Sequence, residues 1–142
     1  MQVTEIMSTD VVTVDRDASL RDAVGKLLTH EVGSVVVVSN EGNPVGIVTE
    51  TDALNAGYRT GNPFEDIRVM DLAHRPVITT SPSATVQWVA RKMADNDVKK
   101  VPVMDDLSLV GMVTLTDIVW RLSDIRAEVG DMSTAPEDWE LD

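Results

Sequence analysis

Apolar residues change their spacing several times along each half of this chain, and the changes mark the elements. Val11–Val14 is a short apolar run that predicts a strand. Leu20, Ala23, Val24, Leu27 and Leu28 then recur at three- and four-residue steps, the stripe of one helical face. Ser19, with Asp22 three residues on, gives a capping-box start, and Gly33 is read as the left-handed residue that ends the helix. Ser34–Val38 places four valines behind a serine, β-branched and apolar on both faces, hence a buried strand. Asn40, Glu41, Gly42 and Asn43 are turn chemistry. Val45–Thr49 is the returning strand, and Thr51–Ala56 begins a second helix.

The same order then recurs. Pro76–Thr80 predicts a strand, and Thr85 caps a helix that buries Val86, Val89, Ala90, Met93 and Ala94. Lys100–Met104 and Leu109–Thr114 are paired strands about a tight turn at Asp105–Ser108. Thr116–Val129 is the last helix, with Ile118, Val119, Leu122, Ile125 and Val129 at helical spacing. Val3–Met7 and Asp66–Leu72 read as short helices ahead of each first strand, and Gly57–Pro63 as the linker between halves.

The echo is one of residues as well as pattern. Val45–Asp52 reads V-G-I-V-T-E-T-D and Val110–Asp117 reads V-G-M-V-T-L-T-D, identical at six of eight positions at an offset of 65. Upstream the offset is 66, pairing Thr13 with Thr79, Ala18 with Ala84, Lys26 with Lys92, Val32 with Val98, Val35 with Val101 and Val37 with Val103. Two copies of one unit are too few for a solenoid, which needs about three. They face each other about a pseudo-twofold axis, and the seam is the natural place for a ligand. The expected fold is α/β in content (α+β): two tandem β-α-β-β-α repeats at 1–60 and 61–130, then a tail at 131–142. That tail carries five acids and no base, so it is expected to be mobile unless Trp139 docks it.

Composition narrows the function. With three Trp, one Tyr and one Phe, the core is aliphatic. The absence of cysteine excludes disulfides and thiolate metal sites, and His30 and His74 lie outside any metal-ligand spacing. No apolar run approaches the roughly 20 residues of a membrane span, and the first ten residues carry Glu5 and no base, so a soluble cytoplasmic protein is expected. Net charge is −12, and sixteen of the 24 acids are Asp. Eleven acids against four bases in residues 1–66 and thirteen against eight in 67–142 spread the acidity over both halves. Such a surface repels nucleic acid and anionic lipid. Both a salt-adapted host and an ordinary acidic protein fit it. No phosphate-binding G-x-x-x-x-G-K loop, nucleophile elbow or paired Cys and His occurs, so an enzyme is not expected. Asp105-Asp106 read as solvated turn acids rather than a metal site.

An apolar strand, a capped helix, a run such as S-V-V-V-V or V-P-V-M-D, a turn and then G-h-h-T-x-x-D, all repeated once, resembles the CBS domain pair (the Bateman module) over residues 3 to about 126. The resemblance implies two units packed sheet to sheet, two equivalent clefts at the seam and frequent homodimerisation into a flat disc. It implies adenosine-containing ligands (AMP, ADP, ATP or S-adenosylmethionine) rather than a tightly bound cofactor, and a regulatory role toward an unidentified protein.

Thr49-x-x-Asp52 and Thr114-x-x-Asp117 each lie where a strand feeds a helix. A carboxylate there can accept from both hydroxyls of a ribose, with the Thr hydroxyl beside it. The same spacing is a capping box, and both roles can hold. The resemblance implies that these Thr and Asp positions are the sugar contacts. Lys99-Lys100, two of only four lysines, precede a buried strand. They are either solvated or positioned for phosphate, as the family often places basic residues there. Their first-half counterparts are Gly33-Ser34, which leaves Ser34 as the candidate in that half. The first-half cleft is then empty, suited to a neutral or cationic adenosyl compound, or dependent on a base such as Arg75 from across the seam. Val11, Pro76, Val77, Ile47, Met112, Val35 and Val101 are candidates for the adenine slot, each with core packing as the alternative. Trp88 and Trp120, on helix faces, are either dimer contacts or partly buried core. The chain reads as a stand-alone nucleotide sensor, with a dimerisation scaffold that binds no nucleotide as the rival.

Overall fold

A computed structural model describes residues 1–123. The first half runs β1 (Thr13–Asp15), α1 (Leu20–His30), β2 (Ser34–Val38), β3 (Pro44–Thr49) and α2 (Glu50–Thr60). The second runs α3 (Val86–Asn96), β4 (Lys100–Asp105), β5 (Ser108–Thr114) and α4 (Leu115–Trp120). Single 3-10 turns at Val3–Glu5, Phe64–Asp66 and Val69–Asp71 lie ahead of each half. In the first sheet β1 pairs parallel with β2, and β2 antiparallel with β3. β4 and β5 form a second, antiparallel pair, with Lys100 opposite Thr114 and Val101 opposite Val113. The expected mixed architecture of two β-α-β-β-α units is the one observed, with one shortened strand. The predicted end of the last helix, including Ile125 and Val129, and the tail at 131–142 lie outside the described residues.

The strand expected at Pro76–Thr80 is reduced to one bridge, Thr80 to Val103. In the first half Val36 donates its N–H to Val12 O at 3.0 Å. The residue 66 positions later is Pro102, which has no N–H to give, so the equivalent rung cannot form. Only Thr80 stays attached, donating to Pro102 O at 3.0 Å and accepting from Met104 N at 2.8 Å. Two other local expectations change. Glu31, at φ 53°, takes the left-handed position that ends α1, not Gly33, and Asp97 does the same at φ 53° after α3. α2 also continues through Gly57 to Thr60 and ends at Gly61, left-handed at φ 65°, and a Cβ on Gly57 would stand 3.0 Å from the Phe64 ring.

The two halves are locked by exchanged lead-in segments. Residues 67–74 clamp the first half: Leu20 N donates to Ile67 O (2.7 Å), Val69 N to Ala18 O (3.1 Å), and Ile47 and His74 exchange backbone bonds of 3.2 and 2.9 Å. Residues 1–8 clamp the second half in the same way. Val86 N donates to Met1 O and Val3 N to Ala84 O, both at 2.9 Å, and Ser8 and Met112 exchange bonds of 2.9 Å. Reciprocal contacts between equivalent residues are the signature of a twofold relation. The cores follow the same exchange. Ile67 and Val69 pack with Val14, Leu20, Leu27, Val35, Val37 and Val48. Val3 and Ile6 pack with Val86, Val89, Met93, Val101, Val103 and Val113.

This clamp explains the glycine of the repeated G-h-h-T-x-x-D. A Cβ on Gly46 would lie 2.8 Å from Ala73 Cβ, and one on Gly111 would lie 2.9 Å from Ser8 O and 2.7 Å from Met7 Sδ. Only a bare Cα admits the lead-in strand. On the helices the apolar stripes are wider than the buried faces. Leu20, Ala23 and Leu27 are buried while Leu28 is 74% exposed, and Ile118 is buried while Val119 is 60% exposed. Ala94 is exposed as well.

Candidate functional site

Thr49 ends β3 and Thr114 ends β5, and each caps the helix that follows. Thr49 Oγ1 accepts from Asp52 N at 3.2 Å, and Asp52 Oδ2 accepts from Thr49 N at 2.8 Å. The second half repeats this, with Asp117 N to Thr114 Oγ1 at 3.1 Å and Thr114 N to Asp117 Oδ2 at 2.9 Å. Both motifs are therefore true capping boxes. Each box uses one oxygen of its carboxylate and leaves the other.

The fate of that second oxygen differs between the halves. Asp52 Oδ1 accepts from His74 Nε2 at 2.8 Å, with the Asp52 side chain 13% exposed and that of His74 70% exposed. Ser8 holds the position equivalent to His74, fixed by the same pair of backbone bonds, but its side chain makes no bond to Asp117 among the described residues. Sequence reasoning assigned His74 no role. Its offset of 66 from Ser8 was the available signal, but nothing local points a histidine at a carboxylate 22 residues earlier.

A hollow of about 400 Å³ lies where the halves meet, lined by Ile47 and Thr49 from β3, by His74, and by Asp97, Val98, Lys99 and Lys100 ahead of and within β4. Four sequence candidates thus share one cleft, and it is the cleft of the first half. The basic pair belongs in sequence to the second half, but the twofold relation carries the start of β4 to the end of β3. Lysines 99 and 100 are the bases supplied from across the seam, and Arg75 does not line this hollow. Asp52 does not line it; it lines another hollow, of about 360 Å³, with Asn55, Arg59, Asp66 and Asp71.

Gly33 stands close to the lysines: a Cβ there would lie 3.2 Å from Glu50 Oε1 and 3.7 Å from Lys100 Nζ. Ser34 is half-buried opposite Thr49 in the β2–β3 ladder. Val35 and Val101 are fully buried core residues, which removes them from direct contact with a ligand. Met112 is 9% exposed and lies with Thr114 and Asp117 at the equivalent position across the pseudo-axis. Val77 is half-buried. Val11 lines a separate hollow of about 470 Å³ with Asp10, Val12, Thr13, Lys26, His30 and Val32. Among the described residues no cluster of three His, Cys, Asp or Glu could hold a metal, and no helix is long and apolar enough to cross a membrane.

The CBS domain family model matches residues 3–59 and 69–124. An uncharacterized protein of Methanocaldococcus jannaschii is 33% identical over 137 residues, covering 88% of this chain and 32% of that one. Among solved structures, the CBS domain pair of protein MJ0100, in complex with 5-methylthioadenosine and S-adenosyl-L-methionine, superposes with a TM-score of 0.77 at 28% identity. That match covers 88% of this chain and 98% of the other. A hexameric CBS-CP12 protein from bloom-forming cyanobacteria gives a TM-score of 0.80 at 29% identity, covering 93% of this chain and 76% of that one. The chain spans 32%, 61% and 41% of the length of three curated relatives it matches.

Proposed function

The chain belongs to the CBS domain family, and we propose that its two repeats form a regulatory module that binds an adenosyl ligand at the seam. One observation carries this reading: two symmetry-related Thr-x-x-Asp caps, each with a carboxylate oxygen beyond what its helix start uses. A ribose diol offers two donors to such a carboxylate, and the Thr hydroxyl lies beside it. At the Asp52 cleft, Ile47 offers apolar surface to a purine, and Lys99 and Lys100 offer positive charge to a phosphate. A charge-assisted hydrogen bond contributes about 1.5–3 kcal/mol, so two supply a sizeable part of a micromolar affinity of about 8 kcal/mol. The net charge of −12 opposes this weakly, because screening acts beyond about 8 Å at physiological salt.

Because the hollow takes residues from both halves, a bound ligand favours one arrangement of the repeats over another, and that difference is the signal. The regulated partner is a protein outside this chain or another part of a longer polypeptide. Calorimetry with AMP, ATP, S-adenosylmethionine, 5-methylthioadenosine and NAD tests the reading. Saturable binding with a thermal shift supports it, since ligand at 100 times its dissociation constant adds about 2.7 kcal/mol.

A self-associating scaffold is the second reading. It is favoured by the apolar side chains left on the helices, Leu28, Leu54 and Tyr58 on α1 and α2 and Trp88, Val119 and Trp120 on α3 and α4, between 46% and 90% exposed. Concentration-dependent mass without any nucleotide-induced shift selects that reading instead.

A further inference from the structure

We infer that His74 gates the Asp52 cleft, so that an adenosyl ligand fills the Asp117 cleft first. The inference rests on the ribose-binding role proposed above for the two aspartates. The backbone frames beside the two aspartates match, since His74 exchanges bonds with Ile47 as Ser8 does with Met112. Their side chains are not. The His74 ring donates to Asp52 Oδ1 at 2.8 Å while Oδ2 serves the helix cap, so both oxygens are engaged before any ligand arrives. Among the described residues, Asp117 has its cap bonds alone.

His74 also lines the hollow that holds Lys99 and Lys100, whereas the Asp52 that it bonds lines another hollow with Asn55 and Arg59. With the His74–Asp52 bond in place, the charge that suits a phosphate and the carboxylate that suits a ribose open to different hollows. Opening requires little. The His74 side chain is 70% exposed, so it can turn into solvent while its backbone stays pinned to Ile47. That is a rotamer change rather than a movement of the repeats.

Two chemical consequences follow. Any adenosyl ligand entering the Asp52 cleft must replace a hydrogen bond to a carboxylate. A phosphate-bearing ligand offsets that loss at Lys99 and Lys100, and a neutral nucleoside does not. The Asp52 cleft therefore discriminates for phosphate, and the Asp117 cleft takes the nucleoside itself.

Calorimetric titration with AMP and with adenosine tests this on the wild-type chain, Asp117→Asn, Asp117→Asn with His74→Ser, and Asp52→Asn. We expect two unequal sites in the wild type, about tenfold weaker binding at the tighter one in Asp117→Asn, and about tenfold tighter adenosine binding at the Asp52 site when His74→Ser is added. Unchanged binding on adding His74→Ser overturns the gate, weaker binding overturns it by making His74 a ligand contact, and loss of the tight site in Asp52→Asn overturns the order. If wild type binds neither probe, the ribose reading fails and the gate with it. Should Asp117→Asn not fold, the His74 ring resonances of the wild type carry the test. They must move with the second equivalent of AMP and not with the first.

Discussion

The two Thr-x-x-Asp sites share a backbone frame and differ in the side chains set on it. At one, the carboxylate is capped and latched, and two lysines arrive from across the seam. At the other, the carboxylate serves its cap alone among the described residues, and the equivalents of His74, Lys99 and Lys100 are Ser8, Gly33 and Ser34. Duplication thus supplies a frame, held by hydrogen bonds between main-chain atoms, and substitution makes the two copies chemically distinct without disturbing it. Features built from the backbone should respond alike in the two halves. Features built from side chains should respond differently.

The largest departure is expected at the lysines. Lys99→Ala with Lys100→Ala should weaken AMP about a hundredfold at the weaker, Asp52 site and leave the tighter site and adenosine nearly unchanged, since two charge-assisted contacts are at stake. Equal losses for both ligands, measured by calorimetry, remove phosphate contact from that cleft. Next come the seam glycines, where the copies should agree in direction and differ only in size. Gly46→Ala and Gly111→Ala should each cost about 1–3 kcal/mol in urea unfolding, as overpacked sites do. Gly111→Ala should be the worse of the two, because its Cβ meets a backbone oxygen at 2.9 Å.

The aspartates come third and should separate the halves. Asp117→Asn should lower the affinity of the tighter adenosyl site about tenfold, and Asp52→Asn should touch only the weaker one. The smallest effect is symmetric. Thr49→Ala and Thr114→Ala should each lose about 1 kcal/mol of stability as an N-cap is removed. A marked difference between those two, by thermal unfolding, would mean that the helix starts are not equivalent after all.

Much of the fold was legible because it is written locally. Ser19, Thr49, Thr85 and Thr114 announce helix starts through side chains that bond backbone three residues away, and all four act as caps. The valine run of β2 and the stripe of Leu20, Ala23 and Leu27 are equally local statements. The misreadings have physical causes. A Pro76–Thr80 strand depends on a donor from β4, and Pro102 has none. The stripe extended to Leu28 and Val119, but burial on a helix is decided by what lies opposite, and nothing in the described chain covers those two. Gly33 looked like a helix end because glycine favours that conformation, yet an acidic residue two positions earlier adopts it.

At the candidate site, the residue types and their spacing came from the sequence, and their partners did not. By itself the sequence determined that the unit occurs twice, that each copy ends a strand in a threonine–aspartate cap, and that one copy alone carries a lysine pair. Each of these depends on residues a few positions apart. Tertiary structure decided which cap the lysines face, which segment completes which core, and which carboxylate meets a histidine. Those pairings join residues 47–52 with 74 and 97–100. They exist only because the pseudo-twofold packing brings separate stretches of chain together, and short-range periodicity carries no record of that packing.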